Sequence, residues 1–340
     1  MAKKKRSTPK KTGKPATSAQ GAASEALAAV RDLLGAEPII YATGNRQPVK
    51  LFGTQIASDV LPLLGQHLDQ IGQVERIALV LHTMGGSLDA PWPFVNMLWR
   101  HAKELLVVVP VRALSAGTLM ALGAKRIVMG PHAFLSPVDP IRSVGAEKES
   151  GSIQVEDVLG YVDFVCDRVG IRDQEALVQA LKDLTSEVKP TVLGSIHRTR
   201  LLIERLSRNL LELHMKQSSD RARVDKIVDF LTHSLFTHQH LIPPGEAKAV
   251  IGLPVEELSF EAAAQLSKVG DFIKEQLQED EPLDASGFKP DKPAQEFTSV
   301  RALLVSEKIR HGFRCRYRAN VAQDGEVQVR PIIASWQRLS

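Results

Sequence analysis

The chain has 340 residues, of which 44% are hydrophobic and 24% charged, with a formal net charge of +4 and two cysteines. That length can bury a large core in one or two domains, and the composition is that of a soluble globular protein. The apolar runs are strand-sized, which excludes a membrane-spanning helix, and Cys166 and Cys315 are too few for a disulfide framework, which fits a reducing cytoplasm.

The charge is unevenly placed. Lys3, Lys4, Lys5, Arg6, Lys10, Lys11 and Lys14 all fall within residues 1–20, which hold no acid. Taking those seven from the 43 basic residues leaves 36 against 39 acidic ones, so the remainder is formally −3. A near-neutral body argues against a nucleic-acid-binding surface, and no nucleic-acid partner is expected. Residues 1–24 lack the apolar side chains that would offset ordering entropy and read as a disordered basic tail. No apolar stretch follows the lysines, so the tail does not read as a secretory signal. Two roles fit it: a solubilising tail, and a weak anchor at an anionic lipid surface or nucleic acid. The expected location is cytoplasmic, with contact at a membrane periphery under the second role.

In chain order, residues 25–34 have a short helical pattern and 38–42 read as a first strand. Residues 53–71 place Ile56, Val60, Leu61, Leu64, Leu68 and Ile71 at helical spacing. The most informative stretch is 76–131. Two apolar runs of strand length, 77–81 and 105–109, each end in a turn of small residues and lead into a helical pattern. The first turn is Thr83-Met84-Gly85-Gly86-Ser87, and the second is Ala113-Leu114-Ser115-Ala116-Gly117-Thr118. A third run, 126–129, follows. Alternation of this kind predicts a parallel sheet with crossover helices. The helix over 88–103 carries Trp92, Phe94, Val95, Met97, Leu98 and Trp99, a face for the sheet or for a partner subunit.

Residues 141–153 read as a flexible loop by composition. Helices are predicted over 155–168, 173–184, 191–215, 221–232, 245–250 and 259–277. Residues 278–298 are acidic and hold Pro282, Pro290 and Pro293, the composition of a linker. Residues 299–340 alternate in polarity and read as a small β extension, a candidate oligomer contact. The expected domain covers residues 25–277.

Ligands of a parallel sheet gather at the carboxyl ends of its strands, where both small-residue turns would lie. Gly85 and Gly86 offer backbone N–H groups with no Cβ in the way. Ser115 stands at the start of a helical run, where the positive field of a helix N-terminus favours developing negative charge. Its bland reading is an ordinary helix cap. Its chemical reading is a hydroxyl nucleophile beside an oxyanion site made by Gly85, Gly86 and the N–H of Ala116.

The ordered segments His82-Thr83-Met84-Gly85-Gly86, Ser115-Ala116-Gly117-Thr118, Met129-Gly130 and Pro137-Val138-Asp139-Pro140 resemble the serine dehydrogenase proteinase family, relatives of signal peptide peptidase A within the Clp protease/crotonase superfamily. The resemblance covers roughly residues 38–254. It implies an α/β fold, a β-β-α spiral with a parallel sheet, a helical second half and a small C-terminal extension. It also implies a cofactor-free, ATP-independent serine peptidase that forms a homo-oligomer and acts on peptides or unfolded protein segments. The general base does not carry over directly. Clp-type proteases place a His where this chain has Val138. Signal peptide peptidase A relatives use a downstream lysine, for which Lys148 is the candidate, although Glu147 and Glu149 flank it. The family also carries a His in the stretch of His238, followed here by Ile242 and Glu246-Ala247. His238 could act near neutral pH without a large perturbation. Both candidates stand, with Asp139 as a residue that could orient either one.

His233, His238 and His240 have no accompanying zinc signature, and no metal is expected. No P-loop or dinucleotide fingerprint occurs, and no cofactor is expected. Two other functions compete. A crotonase-like acyl-CoA enzyme would need a carboxylate near the second turn, and residues 111–136 contain none. A non-catalytic scaffold would keep the fold and lack the base.

Overall fold

The computed structural model describes residues 19–138, 155–234, 240–256, 258–284, 288, 295–321 and 327–339. The elements run α1 (Ala19–Leu34), β1 (Glu37–Thr43), the single turn α2 (Val49–Phe52), α3 (Leu61–Ile71), β2 (Val74–His82), α4 (Pro91–His101), β3 (Ala102–Val109), α5 (Ala116–Leu122) and β4 (Arg126–Met129). A helical half follows: α6 (Val155–Asp163), α7 (Gln174–Glu187), α8 (Pro190–Glu212), α9 (Arg221–Asp229) and the short α10 (Pro244–Glu246). The chain then returns to the sheet with β5 (Val255–Glu256), crosses α11 (Phe260–Leu277) and closes with β6 (Gln295–Val305), β7 (Arg310–Val321) and β8 (Val327–Arg338).

The strands form one sheet in the order β5-β4-β3-β2-β1-β6-β7-β8. From β5 to β1 all neighbours are parallel, and β6, β7 and β8 join antiparallel on the outer side of β1. In β2 and β3 the residues Ile77–Leu81 and Leu105–Val109 are all fully buried, because helices cover both faces. One face, with Ile39, Tyr41, Leu79, Leu81 and Val107, packs under α3, α4, α5, α8 and α9. The other, with Ile40, Ala78, Val80 and Val108, packs under α1 and α11. On α4 the apolar load is shared out. Phe94, Val95 and Leu98 are buried, each contributing about 1.5–3 kcal/mol, while Trp92, Met97 and Trp99 are partly buried at the rim.

Beyond the carboxyl ends of the strands lies a second row of isolated bridges. It pairs Ile56 with Gly86, Thr83 with Ala113, Arg112 with Phe134, and Leu135 with Ile242. Each crossing therefore leaves the sheet, makes a bridge in this row and only then enters its helix. That is a β-β-α spiral.

The structure departs from the sequence reading in three places. Residues 53–57 are not helical, and Ser58–Val60 form a 3-10 turn. Ile56 leaves the helical pattern to bridge Gly86, and α3 starts at Leu61 with Pro62 in its first turn. Helix α1 begins at Ala19, inside the stretch read as tail, because Ala23, Ala26 and Leu27 pack into the core beside α11. The stretch read as a linker carries Glu279 into the interior and supplies the first residues of β6. Among the described residues no helix is long and apolar enough to cross a membrane.

Candidate active site

Both small-residue turns lie at the carboxyl edge, strapped together through their backbones. Thr83 N–H donates to Arg112 O at 3.0 Å, and Leu114 N–H donates to Thr83 O at 3.1 Å. Below them the buried Thr83 hydroxyl accepts the Gly85 N–H at 3.0 Å and meets the Thr43 hydroxyl at 2.7 Å. The two glycines are required by space and by backbone conformation. Gly85 has φ +105°, and a Cβ on it would lie 2.8 Å from Ser115 Cβ. On Gly86 a Cβ would fall 2.3 Å from Ile56 O, inside the bridge that anchors the turn. Only residues without a Cβ let the first turn lie this close to Ser115.

Ser115 joins the β3 crossing to α5 with φ 52° and ψ −115°. A non-glycine residue at positive φ is strained by about 1–3 kcal/mol and persists only where its surroundings hold it. Here they do. Ser115 N–H donates to the buried Ser136 hydroxyl at 2.7 Å, which donates on to Pro137 O at 3.1 Å. Ser136 N–H in turn donates to the Thr118 hydroxyl at 3.1 Å, and that hydroxyl donates to Ala113 O at 2.9 Å. Ser115 occupies the cap position of α5, yet its hydroxyl makes no capping bond. A strained serine at a strand-to-helix turn, its oxygen free of the helix, has the form of a nucleophile elbow.

Of the three N–H groups read as oxyanion donors, that of Gly85 is engaged by Thr83. Those of Gly86 and Ala116 have no partner among the described residues. Gly85 serves instead as the spacer against Ser115. Asp139, Lys148 and His238 lie outside the described residues. Val138, standing where the Clp pattern has its His, is 1% exposed in the main core and donates its N–H to Leu231 O at 3.0 Å. His240 is paired with Glu246, Nε2 to carboxylate at 2.9 Å. The described residues contain no group of three or more His, Cys, Asp or Glu side chains placed to hold a metal.

Sequence reading missed Ser136, Thr118 and Thr43 as the support of these turns. Thr118 carried the one available signal, its place within the Ser-Ala-Gly-Thr segment. It also missed a buried polar group on the opposite face of the sheet. His82 is fully buried, and its Nε2 lies 3.1 and 3.2 Å from the two oxygens of Glu279. Arg112 Nη2 donates to the same carboxylate at 2.6 Å, and Asn45 N–H does so at 2.9 Å. Burial drives the His82 pKa down against the opposing pull of Glu279, which keeps the imidazole neutral. Burial alone would raise the Glu279 pKa, but its bond to His82, the charge of Arg112 and the Asn45 N–H hold it below the ordinary glutamate value. With Nε2 donating to Glu279, His82 Nδ1 is a buried acceptor with no partner among the described residues.

The arrangement is a parallel-sheet α/β spiral with a strained serine packed against a double-glycine turn. Residues 68–153, which contain both turns, match the family described as ClpP-like SDH-type serine proteinase. Among curated proteins, the uncharacterized protein MJ0137 of Methanocaldococcus jannaschii is 32% identical over 127 residues, 35% of this chain and 44% of that protein. The uncharacterized protein MJ1495 of the same organism is 39% identical over 64 residues, 19% of this chain and 22% of that protein. The chain thus spans less than half the length of the curated relatives it matches. Two solved structures of a 1510-N membrane-bound stomatin-specific protease, both mutant forms and one in complex with a substrate peptide, are similar at 17% identity. Their TM-scores are 0.37 and 0.36, over 68% and 67% of this chain and 86% and 78% of theirs.

Proposed function

We propose that the protein is a serine peptidase acting through an acyl-enzyme on Ser115. The observation that carries this reading is the strained, uncapped Ser115 packed directly against Gly85. Ser115 Oγ attacks the carbonyl carbon of a peptide bond and gives its proton to a general base. Negative charge gathers on the carbonyl oxygen, where the N–H groups of Gly86 and Ala116 receive it. The C–N bond then breaks, the amine leaves with the proton from the base, and water repeats the sequence to free the acid. The base is His238 or Lys148, with Asp139 available to orient it. No cofactor or nucleotide takes part. The substrate class is peptides or unfolded segments, and the working form is a homo-oligomer.

Labelling with a fluorophosphonate tests the reading, because such probes react with an activated serine. Wild type should label, and Ser115→Ala should not. Loss in Lys148→Ala or in His238→Ala names the base. A folded wild type that stays unlabelled from pH 6 to 9, about the range in which a His or a depressed Lys deprotonates, would leave a non-catalytic scaffold as the better account.

A further inference from the structure

Three adjacent strands, β1, β2 and β3, send their chains out over the carboxyl edge, and all three deliver a donor to one carboxylate. Asn45 N–H comes from the turn after β1, His82 Nε2 from the last residue of β2, and Arg112 Nη2 from the turn after β3. The receiving group is Glu279, with a side chain only 5% exposed. Its own place is fixed by the end of α11. Gln278 turns the chain with φ 53°, and Glu279 N–H donates to Lys274 O at 3.0 Å. Arg46 ties the same segment to the β1 turn, donating to Gln278 Oε1 at 2.9 Å and to Glu281 O at 2.7 Å.

Two of the three donors adjoin the proposed chemistry. His82 directly precedes Thr83, whose hydroxyl holds the Gly85 N–H. Arg112 lies three residues before Ser115 in the chain, and its carbonyl takes the Thr83 N–H. The gap between the glycine turn and the serine turn is therefore set from both faces of the sheet. On one face Thr83 and Ser136 hold it, and on the other the carboxylate does.

We infer that Glu279 is a positioning residue for the hydrolytic site, holding the Gly85-Gly86 turn at its working distance from Ser115. This inference rests on the serine peptidase reading. A stabilising role alone would not call for a buried charge, since a well-packed apolar group of similar volume generally stabilises as much. What a carboxylate adds is direction. It accepts from three turns at once and sets their relative places, and site geometry off by about 1 Å costs on the order of a hundredfold in rate.

The test uses the full chain as wild type, Glu279→Ala, Glu279→Gln and Leu27→Ala. The last truncates a buried residue of α1 and serves as a stability control. Two quantities are read: the rate of fluorophosphonate labelling at Ser115, and amide hydrogen exchange across residues 83–87 and 112–118. Glu279→Ala should label about a hundredfold more slowly, with faster exchange in both turns and unchanged exchange in β3 and β4. Asn45 N–H and Arg112 Nη2 bond different oxygens of Glu279, so Glu279→Gln keeps an acceptor for one of them only and should recover labelling in part, to within about tenfold of wild type. Leu27→Ala should lower the melting temperature and leave the labelling rate near wild type. Equal slowing in Leu27→Ala and Glu279→Ala would reduce Glu279 to a stability residue and overturn the inference. An unlabelled wild type would remove the peptidase reading, and hydrogen exchange would still decide the clamp. Unchanged exchange in both turns of Glu279→Ala would overturn it, and faster exchange in both would uphold it for whatever chemistry the site performs.

Discussion

At Ser115 the chain adopts a backbone conformation that an L-residue occupies only under constraint, φ 52°. The constraint comes from Ser136 on one side and Gly85 on the other. Gly85→Ala tests the second. The added Cβ would meet Ser115 Cβ at 2.8 Å and Leu114 O at 2.9 Å, from a φ that alanine itself disfavours. The variant should lose about 1–3 kcal/mol of stability and at least a hundredfold in fluorophosphonate labelling, since the serine must move by a fraction of an ångström. Measuring both by denaturant titration and probe kinetics separates the two effects. A Gly85→Ala protein that labels at the wild-type rate would show that the two turns do not share a site. This much of the site was legible in the sequence, because small residues in ordered segments mark where backbones must approach. The support was not. Ser136 and Thr43 act through bonds to residues brought near only by the fold, and a lone hydroxyl has no pattern of its own.

Helix α3 shows the same limit at the scale of an element. Its apolar spacing is plain in the sequence, yet the pattern overran the helix start, because Ile56 serves a bridge that only the fold creates. The helix also buries a polar residue with no sequence signature. His67 is fully buried, with Nδ1 2.7 Å from the Ser306 hydroxyl after β6 and Nε2 3.0 Å from His311 Nδ1 in β7. Burial first, then the neighbouring His311 and Arg338, push its pKa down to about 3. His311 is lowered as well, by its own burial and by Arg338. In the unfolded chain His67 takes up a proton below its ordinary value of 6.5, and in the folded chain it does so only near pH 3. Between those values the unfolded state binds more protons, so stability falls as pH falls. From pH 7.5 to pH 5 the loss through His67 is about 2 kcal/mol, at about 1.4 kcal/mol per pH unit below 6.5. His67→Gln keeps a polar group and cannot titrate. Denaturant titrations at the two pH values should show wild type losing about 2 kcal/mol more than the variant. Equal losses would mean that the α3 junction opens to water and His67 titrates as an ordinary histidine.

For the molecule as a whole, the sheet does not end where the ClpP-like segment ends. Strand β1 is buried from Pro38 to Thr43, and its outer edge is paired with β6 from Ile40 opposite Val305 to Thr43 opposite Ala302. Composition reads the region before β6 as a linker because prolines and acids dominate it. Glu279 within that stretch nevertheless gathers donors from the ends of three strands at the carboxyl edge. Two truncations distinguish an appended unit from an integral one. Removing residues 327–340 takes away β8, most of which is exposed, together with the Phe313–Trp336 ring contact. The sheet then ends on β7 with β1 still covered, so the protein should stay soluble, melt lower and label at Ser115 within a few-fold of wild type. Removing residues 295–340 instead uncovers the β1 edge and strips Leu303, Leu304 and Val305 from the two cores. An open, apolar edge strand pairs with other chains, so this variant should aggregate on expression. The measurement is soluble yield with light scattering, followed by probe labelling of any monomer. A well-behaved 295–340 deletion that labels at the wild-type rate would make the C-terminal strands an appended unit, and would leave Glu279 to hold the carboxyl edge without the sheet beside it.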